Sequence, residues 1–433
     1  MTAKKSVHEL TITALAHGGA GVAHVDADGE RRAVFVPRTV PGERVRAEVD
    51  FGARPARART LAILEPGPGR VTPACADVER CGACDWMHLD RAAQEAGHRA
   101  LVREALPDAM REAPVRFHAA KEALGYRVRA RVHARSAPRQ ALVIGFFGAG
   151  THDPILVQRC VVLDPALEEA RRALPALLAG TRGRGEIQLA LGVGGKPVAE
   201  IVFERDLAPE IYARADALVT GGAWAGARIF GGGTTRPATI GRPEPILRAA
   251  DGQDLVLAAG GFSQAHGALN EALARAVDAS VPAGVRVLEL YAGAGNLTVL
   301  LARGRKVQAV ESDEGACEAA RKNLRARSLE ARVTAADAEL HPIDAGVQAV
   351  VLDPPRTGAR VVCASLASGP SSVRHVTYVS CDAPTLGRDL EILASRFELA
   401  SIDLFEMFPQ TSHVEIVAAL TRRARGRERD GGA

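Results

Sequence analysis

The chain has 433 residues, 47% of them hydrophobic and 24% charged, enough for two to four domains that each bury a core. Lys and Arg total 55 against 51 Asp and Glu, and the mild excess of +4 permits an anionic partner without demanding one. MTAKKSVHEL is no secretory signal and no run of about 18 apolar residues occurs, so a cytoplasmic protein with reduced thiols and no membrane segment is expected.

Residues 1–66 read as short strands, HELTITAL, GAGVAHV, RRAVFVP, ERVRAEV and RTLAIL, punctuated at Gly18-Gly19, Asp28-Gly29 and Pro41-Gly42. Such spacing predicts a small β-barrel. EPGPGR is a linker by composition, and PACADVERCGACDWMH follows with Cys75, Cys81 and Cys84. Seven cysteines, an odd number, speak against a disulfide framework. The spacing C-x5-C-x2-C needs a fourth ligand, and no second C-x2-C pair exists to complete a zinc ribbon. Cys160, Cys317, Cys363 and Cys381 remain as candidates, and the last three fall in the C-terminal third. A helix is predicted around LDRAAQEAGHRALVREAL. In GYRVRARVHAR, Arg127, Arg129, Arg131, His133 and Arg135 recur at period two, which puts them on one strand face suited to phosphate contacts. A solvated strand face is the plainer alternative, and aromatics at 4% argue against a broad base-stacking platform. TGGAWAGARIFGGGTTRPATIG shows no sustained period and receives no assignment.

From about residue 255 strands and helices alternate, which implies a parallel sheet with crossover helices. VLELYAGAGNLTVLLA places a buried strand before a glycine turn, where Gly293 and Gly295 let the backbone approach a ligand. A nicotinamide site would want G-x-G-x-x-G, but Thr298 occupies the third position. The pattern E-x-x-x-G-x-G from Glu289 resembles instead the first motif of class I S-adenosylmethionine-dependent methyltransferases. KVQAV ends in Glu311, placed for ribose hydroxyls, and Asp337 and Asp353 add to a cofactor reading. TYVSCDAPTLGRDL puts Cys381 at the carboxyl end of a strand, where a thiol reaching the ligand crevice is a nucleophile candidate. Cys317 and Cys363 read as buried structural thiols.

DPPRTG, SCDAPTLGRDL and SHVEIVAAL together resemble the RNA uridine 5-methyltransferase family, over nearly the whole chain and most weakly over about 165–250. The resemblance implies a Rossmann-like class I methyltransferase domain of α/β class, a mostly parallel doubly wound sheet. It adds an N-terminal OB-like barrel called TRAM and a small mixed α+β central domain. The implied boundaries are 1–66 for the barrel, 67–90 with 117–250 for the central domain, and 91–116 with 251–423 for the methyltransferase. A disordered basic tail over 424–433 completes the chain. Cys381 falls on the family's nucleophile and Glu415 on its base. Gln264, Tyr291, Gly293, Gly295, Asn296, Glu311, Asp337 and Asp353 fall on positions that hold S-adenosylmethionine. Cys160 matches the fourth cysteine of a 4Fe-4S cluster with Cys75, Cys81 and Cys84, although four thiolates also suit zinc. Arg127, Arg129, Arg131 and Arg135 match a basic segment that meets RNA. His266 stands where the family usually has Asn, and the proline after Cys381 is displaced by one position. A monomer that methylates carbon 5 of a uridine in structured RNA is expected, with 23S ribosomal RNA as the leading substrate. A transfer RNA enzyme, a non-catalytic iron–sulfur RNA-binding protein and an iron–sulfur oxidoreductase are the alternatives.

Overall fold

The computed structural model describes residues 5–27, 29–136 and 141–424. The tail expected over 424–433 therefore lies, from residue 425 onward, outside the described residues. The chain divides into two compact units, one from Met1–Leu101, Lys121–Pro243 and Phe408–His413, the other from Val102–Ala120, Glu244–Met407 and Val414–Ala433.

In the first unit, strands Lys5–Thr11, Ala14–Leu15, Gly21–Ala27, Glu30–Val36, Arg44–Asp50 and Ala56–Glu65 form one sheet. Alternation along Arg44–Asp50 turns Val45, Ala47 and Val49 inward, where they pack with Leu10, Ile12, Ala23, Val34 and Val36. Lys5–Thr11 pairs with Arg44–Asp50 at one edge, while Ala14–Leu15, two residues further on, pairs with Gly21–Ala27 at the other. One continuous segment thus serves both edges and curls the sheet around its core.

A second sheet in this unit has seven strands, in the order Pro154–Ile155, Val143–Phe147, Arg129–Arg135, Arg184–Leu191, Pro197–Phe203, Gly226–Phe230 and Ala238–Gly241. Helices Pro165–Leu177 and Pro209–Thr220 pack on it, burying Leu167, Leu174 and Ile211 with Val132, Ile187, Ile201 and Ile229. The first of these helices starts where Asp164 accepts a hydrogen bond from the Ala166 amide at 2.8 Å and Pro165 takes the opening position. The last two strands come from the stretch without periodicity. There Gly226 lies so close to Arg242 that a Cβ would sit 2.4 Å from its carbonyl carbon, so glycine replaces the side chains that would have shown alternation.

The second unit holds an eight-stranded sheet in the order Ala331–Ala335, Lys306–Glu311, Arg286–Leu290, Ala349–Leu352, His375–Ser380, Glu415–Arg422, Phe397–Phe405 and Val115–His118. The first five strands are parallel, Glu415–Arg422 runs antiparallel to both neighbours, and Val115–His118 lies parallel to Phe397–Phe405. Leu288, Val350, Val376, Leu404 and Ile416 are almost fully buried, as expected for strands covered on both faces. Successive strands run outward from Arg286–Leu290 on one side and then restart at Ala349–Leu352 on the other. That reversal opens a crevice beyond the carboxyl ends of these two strands.

Candidate active site

The carboxyl ends of the parallel strands bring the expected cofactor residues to one edge. Tyr291 leaves its strand with φ +63, and Gly293 and Gly295 follow at +55 and +87. A Cβ on Gly295 would stand 3.3 Å from that of Ala320, so this turn is held against the helix Glu314–Ala326. Glu311 ends the neighbouring strand and accepts hydrogen bonds from the amides of Gly293 at 2.9 Å and Asp313 at 2.8 Å. Asn296 exchanges amide hydrogen bonds with buried Asn270 at 2.8 and 3.1 Å, a pairing that no sequence motif announces. Asp337 is exposed in the turn after Ala331–Ala335 and accepts from the Glu339 amide at 2.9 Å.

Buried polar atoms without a hydrogen-bond partner among the described residues include Gln264 Oε1, Glu289 Oε2, the Tyr291 hydroxyl and Thr298 Oγ1. Such orphans are costly unless a ligand satisfies them. Burial pushes the Glu289 carboxyl up to about 8, against the pull of Thr298 beside it and with Asp353 adding to the rise. Burial likewise pushes Asp353 up to about 7. His266 is buried and caps the helix Gly267–Ser280 through its backbone.

Cys381 follows the strand His375–Ser380, whose antiparallel register with Glu415–Arg422 pairs Ser380 with Ile416. One step further along this ladder sets Cys381 opposite Glu415. Burial, then Glu415, drives the Cys381 thiol up to about 11, while Arg356 opposes the rise and Asp353 and Asp382 add to it. Glu415 is 4% exposed, and burial and Asp353 push its carboxyl up to about 8 against the same Arg356. Arg356 is exposed and favours the ionised form of both groups, a residue quoted in DPPRTG whose role the motif alone did not reveal. A thiol, a carboxyl and a guanidinium at the mouth of one crevice can together add sulfur to an electrophilic carbon and move a proton.

Cys75, Cys81, Cys84 and Cys160 line one pocket of the first unit, whose remaining walls are carbon side chains including Val78, Met87, Val157 and Val162. Burial raises the thiols of Cys81 and Cys160 and drives Cys84 up to about 12. Arg38, at φ +59, donates to the carbonyls of Cys81 at 3.0 Å and Cys84 at 3.4 Å, which holds the loop in place. Among the described residues no three His, Cys, Asp or Glu converge closely enough to hold a single ion. Cys317 and Cys363 are fully buried elsewhere.

The basic strand Arg129–Arg135 alternates as expected, with Ala130, Val132 and Ala134 buried. Its charges are less available than the sequence implies. Arg129 donates to Gln188 at 2.9 Å, and burial with Arg131 and Arg127 nearby lowers it to about 10. Arg131 pairs with Glu186 at 3.0 Å, Arg135 pairs with Asp153, and Arg127 donates to the Arg129 carbonyl at 3.0 Å.

Residues 254–423 match the family model described as tRNA (Uracil-5-)-methyltransferase. The chain is 33% identical to the 23S rRNA (uracil(1939)-C(5))-methyltransferase RlmD of Alkalilimnicola ehrlichii, over 96% of this chain and 97% of that one. It is 33% identical to the enzyme of the same name from Halomonas elongata, over 98% and 92%. The crystal structure of the Pyrococcus abyssi tRNA (uracil-54, C5)-methyltransferase in complex with S-adenosyl-L-homocysteine superposes with a TM-score of 0.73 at 22% identity, covering 96% of this chain and all of the other. That likeness shows a shared Rossmann-like fold. The chain belongs to the RNA (uracil-5-)-methyltransferase family.

Proposed function

We propose that this protein transfers a methyl group from S-adenosylmethionine to carbon 5 of a uridine in 23S ribosomal RNA. The observation that carries the reading is the sheet register that sets Cys381 across from Glu415 beside Arg356. Names of full-length relatives at 33% identity support the substrate.

The residues of the crevice suit the cofactor. Gly293 and Gly295 let the backbone come close, Glu311 is placed for ribose hydroxyls, and the orphaned atoms of Gln264 and Tyr291 await polar partners. Asn296, Asp337 and Asp353 complete the set. Bound there, S-adenosylmethionine supplies an electrophilic methyl group and a positive charge on sulfur.

Uracil carbon 5 is a poor nucleophile. Addition of the Cys381 thiolate to carbon 6 pushes the double-bond electrons toward carbon 5, which then takes the methyl group. Glu415 removes the proton left on carbon 5, the new double bond forms, and the carbon 6–sulfur bond breaks to release Cys381. Burial favours the protonated form of both groups, and Arg356 favours their ionised forms. The uridine must leave its stack to reach Cys381.

Outside the crevice, the barrel is read as a TRAM domain over 1–66, with a central domain over 67–90 and 117–250 and a catalytic domain over 91–116 and 251–423. Arg131 and Arg135 are exposed and, with Arg127 and Arg129, form the side offered to phosphates. The four-cysteine pocket suits a 4Fe-4S cluster. Its four thiols lie among apolar side chains, where burial disfavours a bare thiolate at Cys81, Cys84 and Cys160, a donor set that a metal cluster would satisfy. A single ion bound through bonds of about 2.3 Å needs tighter convergence than these residues show. Such a cluster would tie the loop 75–84 to residue 160.

Mapping 5-methyluridine in ribosomal and transfer RNA from cells with and without the gene tests the substrate. Loss of one 23S mark is expected, and survival of every ribosomal mark would overturn it. Cys381→Ala should abolish methylation and leave cofactor binding intact. Iron and sulfide analysis of anaerobically purified protein tests the cluster, with stoichiometric zinc and no iron as the opposing result.

A further inference from the structure

The loop that carries Arg356 is anchored by a buried carboxylate that no motif role accounts for. Asp389 is fully buried on the helix Ala383–Leu393, which begins two residues after Cys381. Its Oδ2 accepts hydrogen bonds from the Tyr378 hydroxyl and the Ala359 amide, both at 2.7 Å. Its Oδ1 accepts from Arg388 Nε at 2.9 Å and Nη2 at 2.7 Å. Arg388 Nη2 also donates to the Thr357 carbonyl at 2.9 Å, and the Ala359 amide lies 3.1 Å from the Tyr378 oxygen.

Every partner in this set belongs either to the frame of Cys381 or to the turn 353–359. Tyr378 lies on the strand leading into Cys381 and pairs in register with Leu352, so the turn leaves the sheet beside the thiol. Gly358 has φ +79, and a Cβ there would stand 2.3 Å from Thr385 and 2.5 Å from Arg388 and Asp389. The turn is therefore pressed onto the helix with no room to shift. A buried carboxylate that accepts four hydrogen bonds fixes geometry more strictly than apolar packing would.

We infer that Asp389, with Tyr378 and Arg388, is a positioning residue that holds the turn 353–359, and with it Arg356, against the strand and helix that flank Cys381. The inference rests on the proposed role of Cys381 but not on the identity of any substrate. Of the charges that act most on the thiol, Glu415, Asp353 and Asp382 disfavour the thiolate and Arg356 favours it. If Arg356 drifts, the thiolate loses that support.

The test is the rate at which iodoacetamide alkylates Cys381 in the full-length protein from pH 7 to 10, read by mass spectrometry of the Cys381 peptide. Asp389→Asn should slow alkylation at pH 9 about three- to tenfold and move the pH profile upward. Tyr378→Phe removes one hydrogen bond and should give a smaller slowing in the same direction, which keeps the test usable if Asp389→Asn folds poorly. Arg356→Gln should slow alkylation as much as Asp389→Asn, and the double variant should be no slower than Arg356→Gln alone. In methylation assays Asp389→Asn should lower kcat and leave the KM for S-adenosylmethionine unchanged. Multiplying effects in the double variant, or unchanged alkylation in a folded Asp389→Asn protein, would overturn the inference. Because alkylation needs no RNA, failure to methylate any RNA would count against the proposed function and leave this result standing.

Discussion

Replacing Glu415 by Gln should affect the two functions of the crevice in opposite directions. The carboxyl is the charge that, after burial, does most to disfavour the Cys381 thiolate. At pH 9 Glu415, at about 8, is mostly ionised, while a thiol raised to about 11 is only about one per cent ionised. A thiol at the ordinary value of 9.0 would be about half ionised. Burial makes the larger contribution to this rise, so removing the Glu415 charge brings the thiol down by about one unit, which gives about tenfold more thiolate. The thiolate also becomes about threefold less nucleophilic per unit, so the net gain is about threefold per unit. Glu415→Gln should therefore speed alkylation of Cys381 by about threefold at pH 9, and abolish release of methylated RNA. The assay is the iodoacetamide rate at the Cys381 peptide, with Cys381→Ala as the blank. An unchanged or slower rate in a folded Glu415→Gln protein would refute the electrostatic reasoning.

Gly358→Ala forces a Cβ against Thr385, Arg388 and Asp389 at a positive φ, and should cost about 1–3 kcal/mol in urea unfolding along with activity. Glu289 has a carboxyl raised to about 8 from its ordinary 4.5 by burial, so the folded state binds its proton more tightly than the unfolded one. Its contribution is present below about pH 4.5 and is lost as pH rises through about 8. Melting temperatures should therefore shift in favour of Glu289→Gln, relative to wild type, as pH goes from 5 to 8; a constant difference would contradict this. Gly295→Ala, at φ +87 and 3.3 Å from Ala320, should weaken S-adenosylmethionine binding at least tenfold by calorimetry.

The alternating strands of the second unit were legible because buried parallel strands such as VVL leave continuous apolar runs between helices. Cys381 was legible because a strand that ends in a polar turn marks the ligand edge of such a sheet. Its relation to Glu415 needed the register of two antiparallel strands, which no local pattern carries. The Asn296–Asn270 pair and the Asp389 anchor were hidden for the same reason, since each joins distant residues through side chains. The basic stripe was read correctly as one strand face from Arg129 to Arg135, whereas Arg127 lies before the strand, and the neutralisation by Glu186 and Asp153 depends on neighbouring segments. The hairpin within 221–242 was missed because glycine stood at its close approaches.

The strand order also sets a schedule for synthesis. Glu415–Arg422, made after both of its neighbours, sits between His375–Ser380 and Phe397–Phe405. Val115–His118, made early, has no partner in its sheet until Phe397–Phe405 emerges. A nascent chain therefore carries an unpaired edge through most of its translation, a state prone to wrong pairing. The sheet closes only when Glu415–Arg422 arrives, and with it Glu415, so a growing chain holds no complete crevice before that strand is made. Loss of Glu415–Arg422 would take a strand from the middle of the sheet instead of trimming its end.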